Sequence, residues 1–450
     1  MVDPIKDIDP GARQKALVNS VTGVCAELGI ERSEEKKQRA KDPLSQQGET
    51  MSRETDFSRR DFLKTTGAAG IGLLTAAAVP PALYAQEPGR VPTRPFGKTG
   101  DQVAILSLGG MFDIPNNQLM LRQAVKWGVT YWDTANSYEG GNSEIGIGKY
   151  FARYPEDRKS IFLVTKSTAW TLKGMTEHLN LSLERMRTDR IDLFFVHAVR
   201  NISSMGKDMQ QWGETAKAQG KIRFFGFSTH SNMEDCLLGA ASLGWIDGIM
   251  MTYNYRLMHT DAMRRAVDAC AKAGIGLTAM KTQGGGQVLT SNASELSLGG
   301  RFLQSGYTQG QAKLKAVWEN PQIASICSQM PAMALLSENT AAAMNKTRLS
   351  ALDREALAGD ALAGASGYCA GCTRFCEPAL AGAVPVGKVM RYLMYSRSYG
   401  NRDYARSRFR SLSPGTRAAL AAADYSPAEA ACPQRMPIGR LMREAVVELA

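Results

Sequence analysis

The stretch Val129-Thr130-Tyr131-Trp132-Asp133-Thr134-Ala135-Asn136-Ser137-Tyr138-Glu139-Gly140-Gly141 decides how the rest of the chain is read. Its first half is β-branched and aromatic, the composition of a buried strand, and it stops on an acid at Asp133. The second half is rich in Asn, Ser and Gly and reads as a loop that carries Tyr138 past the strand end. Two later apolar runs end in the same fashion. Ile161 to Lys166 finishes on a lysine, and Ile191 to His197 finishes on a histidine. In a closed parallel barrel the carboxyl ends of all strands open onto one face, so Asp133, Tyr138, Lys166 and His197 are expected to converge there.

Those four side chains make a definite kind of acid. A phenol near its free pKa of about 10 gives up a proton reluctantly at neutral pH, and a nearby ammonium is expected to lower that value. Lys166 supplies the ammonium, Asp133 holds it charged and in place, and His197 can donate a hydrogen bond to a carbonyl oxygen. Such a group suits protonating an oxygen while hydride arrives at the adjacent carbon. Taken singly, each residue has a plainer reading as a capping acid, a surface lysine or a core histidine.

Eight short apolar runs, at 103–108, 128–133, 161–166, 191–197, 222–227, 246–252, 275–280 and 322–327, alternate with longer amphipathic stretches such as Gln118 to Trp127 and Met258 to Ala273. That count and alternation predict a (β/α)8 TIM barrel rather than an open sheet. Leu106-Ser107-Leu108-Gly109-Gly110-Met111 is not the glycine fingerprint of the open-sheet dinucleotide fold.

In these pieces the chain resembles the aldo-keto reductase family. The matching motifs are Arg94 to Gly100, Asp133-Thr134-Ala135 with Tyr138, Thr165-Lys166, Val196-His197, Gly220 to Arg223 followed by Gly226-Phe227-Ser228, Tyr253-Asn254, and Glu338-Asn339. They cover roughly residues 94 to 345. The resemblance implies a nicotinamide cofactor, NADP or NAD, a small carbonyl or alcohol substrate, Tyr138 as general acid, Lys166 and Asp133 tuning it, and His197 orienting the carbonyl. It also implies cofactor contacts from Ser228, from backbone amides of Gly284, Gly285 and Gly286, and from Glu338 and Asn339 at the adenine end; the glycines read equally well as a plain loop. Two polar contacts depart from the family pattern, with Thr229 in place of an Asn and Met250 in place of a Gln. Ser328-Gln329-Met330-Pro331 lacks the Lys or Arg expected to grip a 2′-phosphate.

At 450 residues the chain is longer than one barrel, and its net charge of +11 is scattered apart from an Arg-rich segment, Arg402 to Arg410. No nucleic-acid recognition motif accompanies the charge, so a solvated basic face is expected and nucleic acid is not. Residues 1–57 carry no sustained apolar period and are expected to be disordered. From 58 to 85, Ser58-Arg59-Arg60-Asp61-Phe62-Leu63-Lys64, a soft apolar run and Pro80-Pro81-Ala82-Leu83-Tyr84-Ala85 read as a twin-arginine signal cut after Ala85. The run is too short and Gly-rich for a stable membrane span. Met51 lies just upstream, which suggests that translation starts there and that residues 1–50 are a misassigned start. The expected location is periplasmic or otherwise exported, with the Tat translocase as a transient partner.

The last segment, 346–450, is expected to form a small α-helical domain built on cysteines. Cys369, Cys372 and Cys376 are followed far downstream by Cys432-Pro433, similar to the ligand set of a ferredoxin-like [4Fe-4S] cluster, although the middle gap holds three residues instead of two. Some aldo-keto reductases carry such an extension, which would relay electrons, through a further electron-transfer partner, or brace the structure. Zinc is the main rival and two disulfides are the third choice. The tyrosines between Val386 and Leu412 read as packing along a helix, with further helices at Pro414 to Ala423 and Pro437 to Leu449. An accessory electron-transfer or binding subunit that keeps the barrel as scaffold is the alternative to an enzyme.

Overall fold

A computed structural model describes residues 89–284, 293–362 and 368–450. The expected disordered segment, the twin-arginine signal, and Gly285 and Gly286 lie outside the described residues.

Strands β1 (Thr93–Pro95) and β2 (Gln102–Ala104) pair antiparallel, while β3 (Leu106–Gly109), β4 (Tyr131–Asp133), β5 (Phe162–Ser167), β6 (Ile191–Val196), β7 (Ile222–Thr229), β8 (Gly248–Thr252), β9 (Gly276–Met280) and β10 (Ser325–Gln329) close into a parallel barrel. This is the (β/α)8 TIM barrel expected from the pattern, with helices around it and a helical C-terminal region. Strands β3 to β9 are buried at almost every position, which is why they read as unbroken apolar runs rather than alternating ones.

One expected strand is split. The run 103–108 breaks at Ile105, whose amide donates to Pro92 O at 2.9 Å. Residues before the break belong to the β1–β2 hairpin and those after it enter the barrel. The hairpin closes the barrel floor with Phe96, which is fully buried against the Tyr131 and Phe162 rings at 6.3 and 5.4 Å. Glycine is required opposite it, since a Cβ at Gly276 would sit 2.5 Å from the Phe96 ring. Arg94 fastens the hairpin by donating to the carbonyls of Trp318, Asn320 and Ile323 at 2.6 to 3.1 Å.

The C-terminal segment divides its packing. Helix Ala351–Leu362 lies on the barrel flank, where Leu349 and Leu357 join Tyr255, Phe302 and Tyr307 in one apolar cluster. From Cys376 onward a separate core forms, with Val389, Leu393, Phe409, Leu420, Met442 and Ala445 at its centre. The tyrosine-bearing segment is two helices, Val386–Arg397 and Arg402–Arg410, the second capped by the Asn401 side chain.

This part docks on the loops after β6 and β7. Gly371 O accepts from Asn232 N at 3.1 Å, and Arg200 pairs with Glu377 at 3.0 Å. Gly371 has φ +78°, and a Cβ there would lie 2.2 Å from His230 O, so only glycine permits the approach. No helix among the described residues is long and apolar enough to cross a membrane.

Candidate active site

Register brings the strand-end residues together. Asp133 pairs opposite Val164, two residues before Lys166, so the lysine projects just beyond the acid on the same face. The Lys166 ammonium contacts both Asp133 carboxylate oxygens at 2.7 Å, with hydrogen-bond geometry to Oδ2, and also donates to Thr134 O at 2.7 Å. Lys166 is 1% exposed and Asp133 2%. The same ammonium lies 3.4 Å from the Tyr138 hydroxyl. The Tyr138 and His197 rings meet edge to face at 5.8 Å. All four residues therefore occupy one rim.

Tyr138 is held by a turn with unusual backbone. Glu139, Gly140 and Gly141 have successive positive φ values of 50°, 64° and 100°. A side chain at Gly141 would strike the Arg185 guanidinium at 2.6 Å. Arg185 donates to Asn136 O at 3.0 Å and to the fully buried Glu144 at 3.2 Å, and Glu144 in turn accepts from Thr165 Oγ1 at 2.7 Å. The clamp thus ties the tyrosine loop to the strand that carries Lys166.

The electrostatics differ from expectation at one point. Burial, then the Asp133 charge, pushes the Tyr138 phenol well above its usual value, so the ammonium does not lower it in the free protein. Desolvation outweighs a contact of 3.4 Å. Burial also lifts the Asp133 carboxyl above its usual range against the pull of Lys166. Burial, reinforced by Lys166 and Arg391, pushes His197 down to about 3, and its Nδ1 is buried with no hydrogen-bond partner among the described residues. The imidazole is therefore neutral at physiological pH.

The residues expected to meet a cofactor are placed less uniformly. The Ser228 hydroxyl, buried at the β7 end, accepts from Ala198 N at 3.0 Å. The Thr229 hydroxyl is engaged with Ser231 O at 2.8 Å, and Met250 is buried with no polar atom to offer. Glu338 accepts from the Thr308 hydroxyl, and Asn339 donates to Ser328 Oγ at 3.1 Å. Gly284 packs against the Tyr255 ring, and its carbonyl accepts from Arg256 at 3.1 Å.

Cys369, Cys372, Cys376 and Cys432 line one small cavity with Phe375, Met390, Met436 and Ile438. No disulfide joins any of the four. Among the described residues no three His, Cys, Asp or Glu side chains gather so as to hold a metal ion. The four cysteines share a cavity wall, and the expected metal centre is not formed among the described residues.

Several residues of the rim escaped sequence reasoning. Cys327 lies mid-strand in β10 with its thiol 3.6 Å from Asp133 Oδ2. Lys281 follows β9 and lies over the rings of Tyr395 and Tyr399 at 4.9 and 5.1 Å. Against the push of burial, Lys281 and Arg391 bring the Tyr395 phenol below its usual value. A lysine closing an apolar strand was the available signal for Lys281, the same one that marked Lys166.

The profile of the aldo/keto reductase family matches residues 107–336, just over half of the chain. An aldo-keto reductase of Fusarium vanettenii is 26% identical over 234 residues, covering 42% of this chain and 63% of its own length. One of Schizosaccharomyces pombe, named for NADP(+), is 29% identical over 184 residues, covering 36% and 52%. The chain therefore spans about half to two thirds of the length of these relatives. An aldo-keto reductase of Bacillus halodurans, solved in its holo form, superimposes with a TM-score of 0.51 at 20% identity, covering 60% of this chain and 95% of that one, and so shares the fold. On the extent of the family match, this chain belongs to the aldo/keto reductase family.

Proposed function

We propose that the chain is an oxidoreductase that interconverts a carbonyl and an alcohol at the barrel rim, with Tyr138 as the proton donor. The observation that carries this reading is the contact chain Asp133–Lys166–Tyr138 with the His197 ring beside it. A phenol whose pKa lies above its usual value keeps its proton at neutral pH and has one to give. As it does so, the ammonium 3.4 Å away stabilises the phenolate that forms. Neutral His197 donates a hydrogen bond to the carbonyl oxygen and adds no positive charge to the rim.

The residues present fit a nicotinamide cofactor at Ser228, whose hydroxyl accepts from Ala198 N and keeps its own proton to donate, and at the Ser328–Asn339 pair. Thr229 and Met250 add nothing to that grip. When bound, the cofactor supplies hydride to the carbonyl carbon. NADP and NAD remain equal candidates, because Ser328-Gln329 offers no cation for a 2′-phosphate.

Four thiols line one apolar-walled cavity, and the proline after the last of them, Pro433, favours a [4Fe-4S] cluster there over zinc. Cys369, Cys372, Cys376 and Cys432 would hold it, and it would supply one-electron transfer or brace the helices. Export through the Tat pathway to the periplasm, read from residues 58–85, fits a protein that folds around a cluster before leaving the cytoplasm.

A second reading, an electron-transfer or binding subunit that keeps the barrel as scaffold, is favoured by the altered contacts at Thr229 and Met250. Full-length holoprotein assayed with a panel of aldehydes and ketones, against NADPH and NADH, separates the two. Under the first reading Tyr138→Phe lowers turnover by roughly 10²- to 10⁴-fold. Turnover absent from the wild type, or unchanged in the variant, establishes the second.

A further inference from the structure

Between the barrel rim and the C-terminal helices lies a cavity of about 270 Å³, close to the lower bound of roughly 300 Å³ for small-molecule sites. His230 and Thr252 of the barrel form one wall, and Cys369 borders it. Four cations line it, Lys281, Arg391, Arg397 and Arg440, against one carboxylate, Glu444. That carboxylate is already committed, since it pairs with Arg397 at 2.9 Å and lies 3.9 Å from Arg440. Arg391 donates to the Ser231 hydroxyl at 3.3 Å, and Lys281 rests on the two tyrosine rings. Among the described residues neither of them pairs with a carboxylate.

Lys281 and Arg391 are half-buried, and cations partly shielded from water without a carboxylate partner favour the entry of an anion. The same field acts on the neighbouring imidazoles, for burial and then Arg391 and Lys281 hold His230 well below its usual value. We propose that this cavity binds the oxyanion group, phosphate or carboxylate, of a small molecule, held by Arg391 and Lys281 with Arg397 and Arg440 at its edge. Arginine suits this task because its planar fork meets two oxygens at once. Three of the four cations come from the C-terminal helices, beyond the part of the chain that matches the family. The site does not depend on any turnover at Tyr138.

Titration calorimetry on the full chain at low ionic strength, with inorganic phosphate and succinate as separate probes, tests it. Saturable binding of at least one probe is expected, and the tighter of the two identifies which oxyanion the site serves. Arg391→Gln should weaken that binding about ten- to a hundredfold, while Arg391→Lys, which keeps the charge, loses less. Arg440→Gln removes a rim charge that is 68% exposed, so folding is not at stake, and should cost roughly two- to fivefold. The exposed Lys159→Gln, on another part of the surface, should change nothing. Failure of both probes to saturate, equal binding by Arg391→Gln and Arg440→Gln and the wild type, or an equal loss in Lys159→Gln overturns the proposal.

Discussion

Replacing Lys166 with methionine keeps the bulk of the side chain and removes only its charge and hydrogen bonds. Those bonds run to Asp133 and to Thr134 O at 2.7 Å, and the pair is all but sealed from water. The variant leaves a buried carboxylate with no cation, a change that costs about 3–5 kcal/mol when both groups are enclosed. Removing Asp133 as well, as Asp133→Leu in the Lys166→Met background, should recover much of that loss, because an apolar replacement of a buried pair is often near neutral. The cost should also depend on pH in a fixed direction. Burial already raises the folded carboxyl above its unfolded value near 4, so the unfolded state binds fewer protons between those values and stability falls as pH rises through that window. Without Lys166 the carboxyl rises further and the window widens toward neutrality. Urea denaturation of wild type, both singles and the double should therefore show a Lys166→Met deficit that is larger at pH 7 than at pH 5. A double variant as unstable as the sum of the singles, or a deficit independent of pH, would refute the argument that the charges are coupled.

Three further outcomes are expected. His197, at about 3, stays neutral in the folded protein while its unfolded form charges below about 6.5, so wild-type stability falls with acid by up to about 1.4 kcal/mol per pH unit relative to His197→Gln; parallel acid-unfolding curves for the two proteins contradict this. Gly371→Ala forces an L side chain into φ +78° and against His230 O, and should destabilise by at least about 1–2 kcal/mol, with proteolysis of the thiol-bearing segment accelerated before the barrel is cut; an unchanged cleavage pattern argues against the docking contact. Anaerobic purification should give about four irons per chain by metal analysis with visible absorbance from the cluster, and Cys369→Ser should lower both; stoichiometric zinc in a colourless protein sinks the cluster reading.

The barrel and its rim were largely legible because each depends on short stretches. Asp133, Lys166 and His197 stand at the ends of apolar runs, and a parallel barrel gathers such ends by its own topology. The break at Ile105 was hidden because both sides of it are apolar, one facing the hairpin and the other the barrel. The Arg185–Glu144 clamp joins residues 41 apart on two different helices, a pairing that no local pattern announces. Tyr395, Tyr399 and Arg391 were beyond reach for a different reason. Their spacing along the helix says how they pack within it, whereas their place beside Lys281 follows from how the C-terminal helices dock on the barrel. The direction of the Tyr138 shift was missed for the same cause, since desolvation is a property of the assembled surroundings and not of the neighbouring charge alone.

The Phe96 floor makes the barrel a vessel with a sealed base. Strands β4, β5, β8 and β9 are stoppered there by an aromatic ring set against Gly248 and Gly276, so among the described residues the base offers reactants no way in. Tyr138 stands at the opposite rim, beside the C-terminal helices, so a bulkier residue at Gly276 would disturb the base and leave the reacting end as it is.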